Sequence, residues 1–196
     1  MSEITLARPW WVNLSIVIPF VTYCFLRKKR LSLTGSQFLI TALFAIAFGF
    51  IEASVVIYLR AITGVVLGSG LSEIGTFSSR FYREAQILPD FPADLLKVEV
   101  SREVATLVVL GCLASLTVSG LRERCAVFLW TFAIWDICYY LWLRIFVGWP
   151  SSLTTPDVLF LIPVPWRSQV WFPLIVSVIM MLAVMLVKRG ARDYNR

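Results

Sequence analysis

Apolar residues along this chain gather into long blocks, separated by short polar breaks, instead of alternating with the periods of a soluble fold. Five blocks stand out: residues 10–26, 37–59, 100–121, 126–147 and 170–187. Each falls in the range of about 17–25 residues that a membrane-crossing helix occupies. The first is the shortest and contains Pro19, but Trp10 and Trp11 mark its start as interfacial. The pattern predicts an all-α, integral membrane bundle of five transmembrane helices, forming a single domain over residues 1–196.

Basic residues beside the blocks set an orientation. With five crossings, Arg27, Lys28, Lys29, Arg30, Arg122, Arg124, Lys188, Arg189, Arg192 and Arg196 share one side. Arg8, Arg60, Arg80, Arg83, Lys97 and Arg167 are spread more thinly over the other. The positive-inside rule then places the N-terminus outside and the C-terminus in the cytoplasm. The basic cluster follows the first block, and no small-residue cleavage site accompanies it, which argues against a cleavable signal.

Two outer connections carry patterns of their own. Residues 60–98 are long for a loop. Gly64, Gly68 and Gly70 predict an irregular entry, after which Phe81, Ile87, Leu88, Phe91, Leu95 and Leu96 alternate with charges as in an interface-lying segment. Residues 148–169 hold Trp149, Pro150, Asp157, Pro163, Pro165 and Trp166 around the short apolar run 158–162. Five apolar residues cannot span, so this stretch is either a re-entrant turn or a cap on the bundle. Its tryptophans and prolines favour the cap.

Composition agrees with lipid as the solvent. The chain has 196 residues, 59% of them hydrophobic, where soluble domains run at about 45–50%. Its net charge of +6 would point to nucleic acid in a soluble chain. Here the basic residues flank apolar blocks and no nucleic-acid motif accompanies them, so the partner they imply is the lipid bilayer. Histidine is absent. That excludes His-ligated haem, the usual His-containing zinc sites and Ser–His–Asp nucleophile chemistry. The cysteines Cys24, Cys112, Cys125 and Cys138 form no C-x-x-C and read as small buried hydrophobes, so no metal site is expected.

The chemistry lies in the charges inside the blocks. Asp136 sits near the middle of the fourth, where an acid costs roughly 2.5–3.5 kcal/mol on insertion scales. Tyr140 and Arg144 follow at i+4 and i+8, with Tyr139 adjacent, giving one helix face an acid, a phenol and a guanidinium. Glu52 lies inside the second block, with Arg60 two turns further out. Glu99, Arg102, Glu103 and Thr106 share a face at the start of the third. In the five-helix topology all of these fall in the outer half of the bundle. The candidate ligand- or ion-binding set is Glu52, Arg102, Glu103, Asp136, Tyr139, Tyr140 and Arg144. The stripes Ala45, Gly49, Ala53 and Gly111, Ser115, Ser119 read as packing seams. The charge-free fifth block reads as lipid-facing.

The run Trp135-Asp136-Ile137-Cys138-Tyr139-Tyr140, then Gly148-Trp149-Pro150 and Asp157 through Trp166, resembles an uncharacterised family of small bacterial polytopic membrane proteins. Residues 48–53 and 102–106 resemble its other recurring pieces. The resemblance implies a bacterial cytoplasmic (inner) membrane location and brings no activity with it. That family often has Lys after the Tyr-Tyr pair, where this chain has Arg144.

Three functions stay open at this point. The acids could take up a proton, a cation or a small polar solute, for binding or transport. They could instead act as acid and base, or hold Mg²⁺ or Mn²⁺, in an enzyme on a lipid-linked substrate. Or they could pair across an interface, either in a homo-oligomer or as an accessory subunit docked on another membrane protein.

Overall fold

The computed structural model describes residues 4–28, 31–66, 93–159 and 166–193. It is mostly helical. The chain opens with a 3₁₀ segment, Trp10–Val17, that runs directly into α1, Ile18–Leu26. Pro19 is the reason for the change. It has no N–H to give the Ser15 carbonyl, and the Ile18 N–H bonds that carbonyl in 3₁₀ fashion instead. The helix α2 spans Gly35–Val66, α3 Ala93–Thr117 and α4 Leu121–Val147. A hairpin of β1, Pro156–Leu159, and β2, Trp166–Gln169, precedes α5, Trp171–Asp193.

Four helices, α2 through α5, are long and apolar enough to cross a membrane, and the chain is a membrane protein on that ground. The 17-residue element 10–26 is apolar but shorter. Of the 60–98 connection, residues 67–92 lie outside the described residues, and with them Gly68, Gly70, Phe81, Ile87, Leu88 and Phe91. Its ends are helical: Gly64 belongs to α2, and Leu95 and Leu96 belong to α3, so no irregular entry begins at Gly64.

The helix starts follow local capping chemistry. Thr34 and Gln37 form a capping box before α2: the Gln37 N–H donates to Thr34 Oγ1, and the Thr34 N–H donates to Gln37 Oε1 at 2.9 Å. The turn between α3 and α4 falls at 118–120, earlier than the hydropathy break, and Arg122, Glu123 and Arg124 enter the first turn of α4. Arginine side chains satisfy loose carbonyls there. Arg124 Nε donates to the Val118 carbonyl at 3.0 Å, and Arg122 Nη2 donates to the carbonyl of Leu26 at the end of α1.

Helix α4 is the central element, packed by α2, α3 and α5, while α1 lies chiefly on α5. Its contact with α2 is the closest. Gly49, between the fully buried Ala45 and Ala53, sits where a Cβ would stand 3.0 Å from the Trp135 carbonyl oxygen and 3.2 Å from the Cys138 Cβ. That stripe is a packing seam, as its spacing predicts. The stripe through Gly111 is not. A Cβ on Gly111 meets nothing within 4 Å, Ser115 is exposed, and its hydroxyl donates to the Gly111 carbonyl of its own helix. The face of α3 turned inward carries Glu99, Thr106, Leu110 and Ala114 instead.

The fifth block also departs from expectation. In α5, Phe172, Val176, Ser177, Met180, Ala183, Val184 and Val187 are buried, and the helix is as enclosed as α4. Absence of charge does not separate lipid-facing from protein-facing helices, because lipid tails and packed side chains are equally apolar.

Residues 148–159 and 166–169 form an end structure. Gly148 closes α4 in the left-handed conformation, φ +70°. The hairpin pairs Asp157 with Ser168 and Val158 with Arg167, and β2 also exchanges two 2.8 Å backbone bonds between Arg167 and Arg8. Trp149 is fully buried against Tyr140, Leu143 and Val170.

The seam gives a direct test. Gly49→Ala should destabilise by about 1–3 kcal/mol through overpacking, whereas Gly111→Ala should be neutral or gain up to about 1 kcal/mol from helix propensity. Thermal unfolding of the two purified variants in detergent reads the difference, and equal melting temperatures would remove the claim for a close α2–α4 contact.

Candidate functional site: a buried acid cluster

On α3, residues 99, 102, 103 and 106 lie on one side because a helix advances about 100° per residue. Arg102 is the hub of that side. Its Nη2 donates to Glu99 Oε2 at 2.8 Å and to Glu103 Oε1 at 3.1 Å, and its Nη1 pairs with Glu52 Oε1 on α2. Thr106 Oγ1 donates to Glu52 Oε2 at 3.2 Å, so both oxygens of Glu52 are engaged. Glu52 and Glu99 are each 4% exposed, which places these charges inside protein and out of lipid. A planar guanidinium with five N–H donors is the side chain that can serve three carboxylates at once.

On α4, the acid and the phenol face two other elements. Asp136 Oδ2 accepts a 2.7 Å bond from Ser177 Oγ on α5. One turn further, Tyr140 OH donates to Asp157 Oδ2 on β1 at 2.8 Å, and Asp157 Oδ1 accepts the N–H of Val158. All four side chains are buried. The two groups of acids form one site, since Glu103, Asp136 and Asp157 lie within electrostatic reach of one another.

Of the seven residues singled out from spacing, Glu52, Arg102, Glu103, Asp136 and Tyr140 converge here. Tyr139 is half-buried and flanks the site, with its ring 5.1 Å edge-on from Tyr140 and stacked on Trp135. Arg144 stands apart. It is exposed, and its Nη1 donates to the carbonyls of Gly148 and Pro150, where it ties the end of α4 to the hairpin. The i+8 spacing from Asp136 places it two turns away, beyond reach of the acids. Arg60 lies in α2, outside the set of side chains described.

Three participants were not singled out. Glu99 resembles an ordinary helix-start acid, and only the Arg102 contact shows its part. Ser177 carries no signal in an apolar helix, since a hydroxyl there commonly bonds its own backbone. Asp157 had one available sign: an acid within an otherwise apolar, proline-flanked run.

Glu52, Glu103 and Asp136 carry three carboxylates, and Arg102 is the one cation bonded to any of them among the described residues. No group of three or more acid or sulfur ligands among the described residues is arranged to hold a metal ion. Fold and site together define a helical membrane protein with a buried site of acids around one arginine. Comparison with protein-family models, curated proteins and solved structures found no match to this chain.

Removing the hub takes the guanidinium away from Glu52 and Glu103, where it is the one cation bonded to them among the described residues. Arg102→Met should cost roughly 3–5 kcal/mol of stability, and adding Glu52→Gln should recover part of that loss. Thermal unfolding in detergent reads both, and a fully stable Arg102→Met protein would show that the guanidinium does not hold the site.

Proposed function

We propose that this protein takes up protons, or a monovalent cation in their place, at an intramembrane site formed by Glu52, Glu103 and Asp136, for transfer across a bacterial inner membrane. The observation that carries the reading is the imbalance of three carboxylates, buried at Glu52 and Asp136 and largely so at Glu103, against Arg102, the one cation bonded to any of them among the described residues. Uncompensated charge away from water is expensive, so intramembrane acids mark ion pathways and relays. A proton or small cation drawn from solution neutralises it. Ser177 and Tyr140 add hydroxyls that both donate and accept, as a proton-handling site needs.

The same proposal includes five crossings, with the N-terminus outside and the C-terminus in the cytoplasm. Support comes from the two ends of the first element. Arg122, at the start of α4, bonds the Leu26 carbonyl at one end, while Arg8 pairs with Arg167 of the hairpin at the other. The 3₁₀ rise helps: eight residues at about 2.0 Å and nine at about 1.5 Å give about 30 Å, the thickness of a hydrocarbon core. Arg27, Lys28, Arg122 and Arg124 then gather at the cytoplasmic end, and the acids lie toward the hairpin end.

The test uses protein reconstituted in vesicles that enclose a pH-sensitive dye, with an imposed potential driving protons inward. Wild-type vesicles should acidify faster than protein-free ones, and Asp136→Asn or Glu103→Gln should slow this by about tenfold or more. A rate that is unchanged in Asp136→Asn, or no faster than empty vesicles in the wild type, overturns the reading.

A further inference from the structure

At the end of the bundle away from the hairpin, a polar cleft opens where α2 begins, α3 ends and α4 begins. Its volume is about 470 Å³, and Ser32, Gln37, Thr117, Ser119, Gly120 and Glu123 line it. A water occupies about 30 Å³, so the space admits a small polar group together with its hydration. The apolar spans Gly35–Leu59, Leu96–Thr117 and Leu121–Val147 each reach the cleft with one end, which puts it at headgroup depth.

Glu123 shares this end with Arg27, Lys28, Arg122 and Arg124, yet it makes no ion pair or hydrogen bond among the described residues. Its sequence neighbours are turned elsewhere, Arg122 to the carbonyl of Leu26 and Arg124 Nε to that of Val118 at 3.0 Å. The carboxylate folds back over Gly120, where a Cβ would collide with Oε2, but it gives Gly120 no capping bond. The hydroxyls of Ser32 and Ser119, both exposed residues, make no bond among the described residues either. Arg124 is the opposite pole. One of its five N–H donors goes to Val118 in the cleft wall, which leaves its terminal nitrogens for a ligand.

A simple anion would suit Arg124 and be repelled by Glu123, and a simple amine would meet the reverse. A ligand with an ammonium two carbons from a phosphate satisfies both. Leu116 and Leu121, 87% and 72% exposed beside Thr117 and Gly120, offer apolar surface to acyl chains. We infer that this cleft binds the headgroup of phosphatidylethanolamine, with its primary ammonium on Glu123 and its phosphate toward Arg124 and the serine hydroxyls. The ammonium brings N–H donors to the carboxylate, which the trimethylated ammonium of phosphatidylcholine lacks. The dipole of α4 also favours an acid at position 123, but it is indifferent to which lipid is present.

The experiment adds phosphatidylethanolamine, phosphatidylcholine or phosphatidylglycerol with matched chains to the purified protein in detergent and counts bound lipid by native mass spectrometry. Phosphatidylethanolamine should bind about tenfold tighter than the other two, the factor that one charge-assisted hydrogen bond supplies. Glu123→Gln should erase that preference, while Asp94→Asn, at an exposed acid of the opposite end of α3, should keep it. Mono- and dimethylated phosphatidylethanolamine, given to the wild-type protein, should bind more weakly with each methyl group, a measurement that needs no variant to fold. Equal affinity for phosphatidylethanolamine and phosphatidylcholine overturns the site, as does a preference that survives Glu123→Gln or tighter binding of phosphatidylglycerol. Displacement of the lipid by an equal concentration of water-soluble phosphoethanolamine would assign the cleft to a free solute and overturn the lipid.

Discussion

An ionised side chain removed from water needs its counter-charge and its hydrogen bonds supplied by protein; Arg102 supplies the counter-charge for three acids, and Thr106 adds a hydrogen bond to Glu52. The planar fork of Arg102 meets Glu52 across the α2–α3 gap and Glu99 and Glu103 along its own helix. The position of α3 depends on this. Its span is the least buried of the four, and much of its surface faces outward through residues such as Val104, Val108 and Leu116. Apolar packing on α4 holds one flank, and the Arg102 and Thr106 contacts to Glu52 hold the flank toward α2. A site that neutralises charge thus also fixes a helix. That makes function and stability hard to separate at Arg102, whereas Asp136, bonded to a hydroxyl, is less entangled with the fold.

Away from the acids, the bundle holds together by means suited to lipid. Burial alone gives helices little reason to associate there, so close approach and interhelical hydrogen bonds matter more. Gly49 lets α2 come against the backbone of α4. On either side of that contact, indoles of α4 donate to carbonyls of α2, Trp130 to Phe38 at 3.3 Å and Trp142 to Ile46 at 3.1 Å. Edge-on and tilted aromatic pairs, among them Phe38 with Trp130 and Phe50 with Trp142, fill the seam between them.

The two ends of the bundle differ in chemistry. At one, Arg122 and Arg124 satisfy helix-end carbonyls and the Lys188 ammonium lies 3.5 Å from the centre of the Phe38 ring. At the other, backbone pairing joins residues near the N-terminus to the hairpin, and Thr5 N–H reaches Gln169 Oε1 at 3.0 Å. The acids sit under this second structure.

Length and apolarity were enough, from sequence, to set out the long helices, because a bilayer imposes a minimum span that few soluble segments imitate. Helical spacing likewise put Glu99, Arg102, Glu103 and Thr106 on one face, and the cost of buried charge marked Glu52 and Asp136. These are local or one-body properties. What no spacing rule contains is which faces meet. Ser177 and Asp157 reach Asp136 and Tyr140 from elements 41 and 17 residues away, and Arg144 turns to carbonyls in place of acids. The inward placement of α5, and the choice of Gly49 over Gly111 as a contact, were decided in the same way. Lipid and protein interior are alike in apolarity, so the sequence carries no signal that separates the two, and only the packed bundle assigns each surface to one or the other.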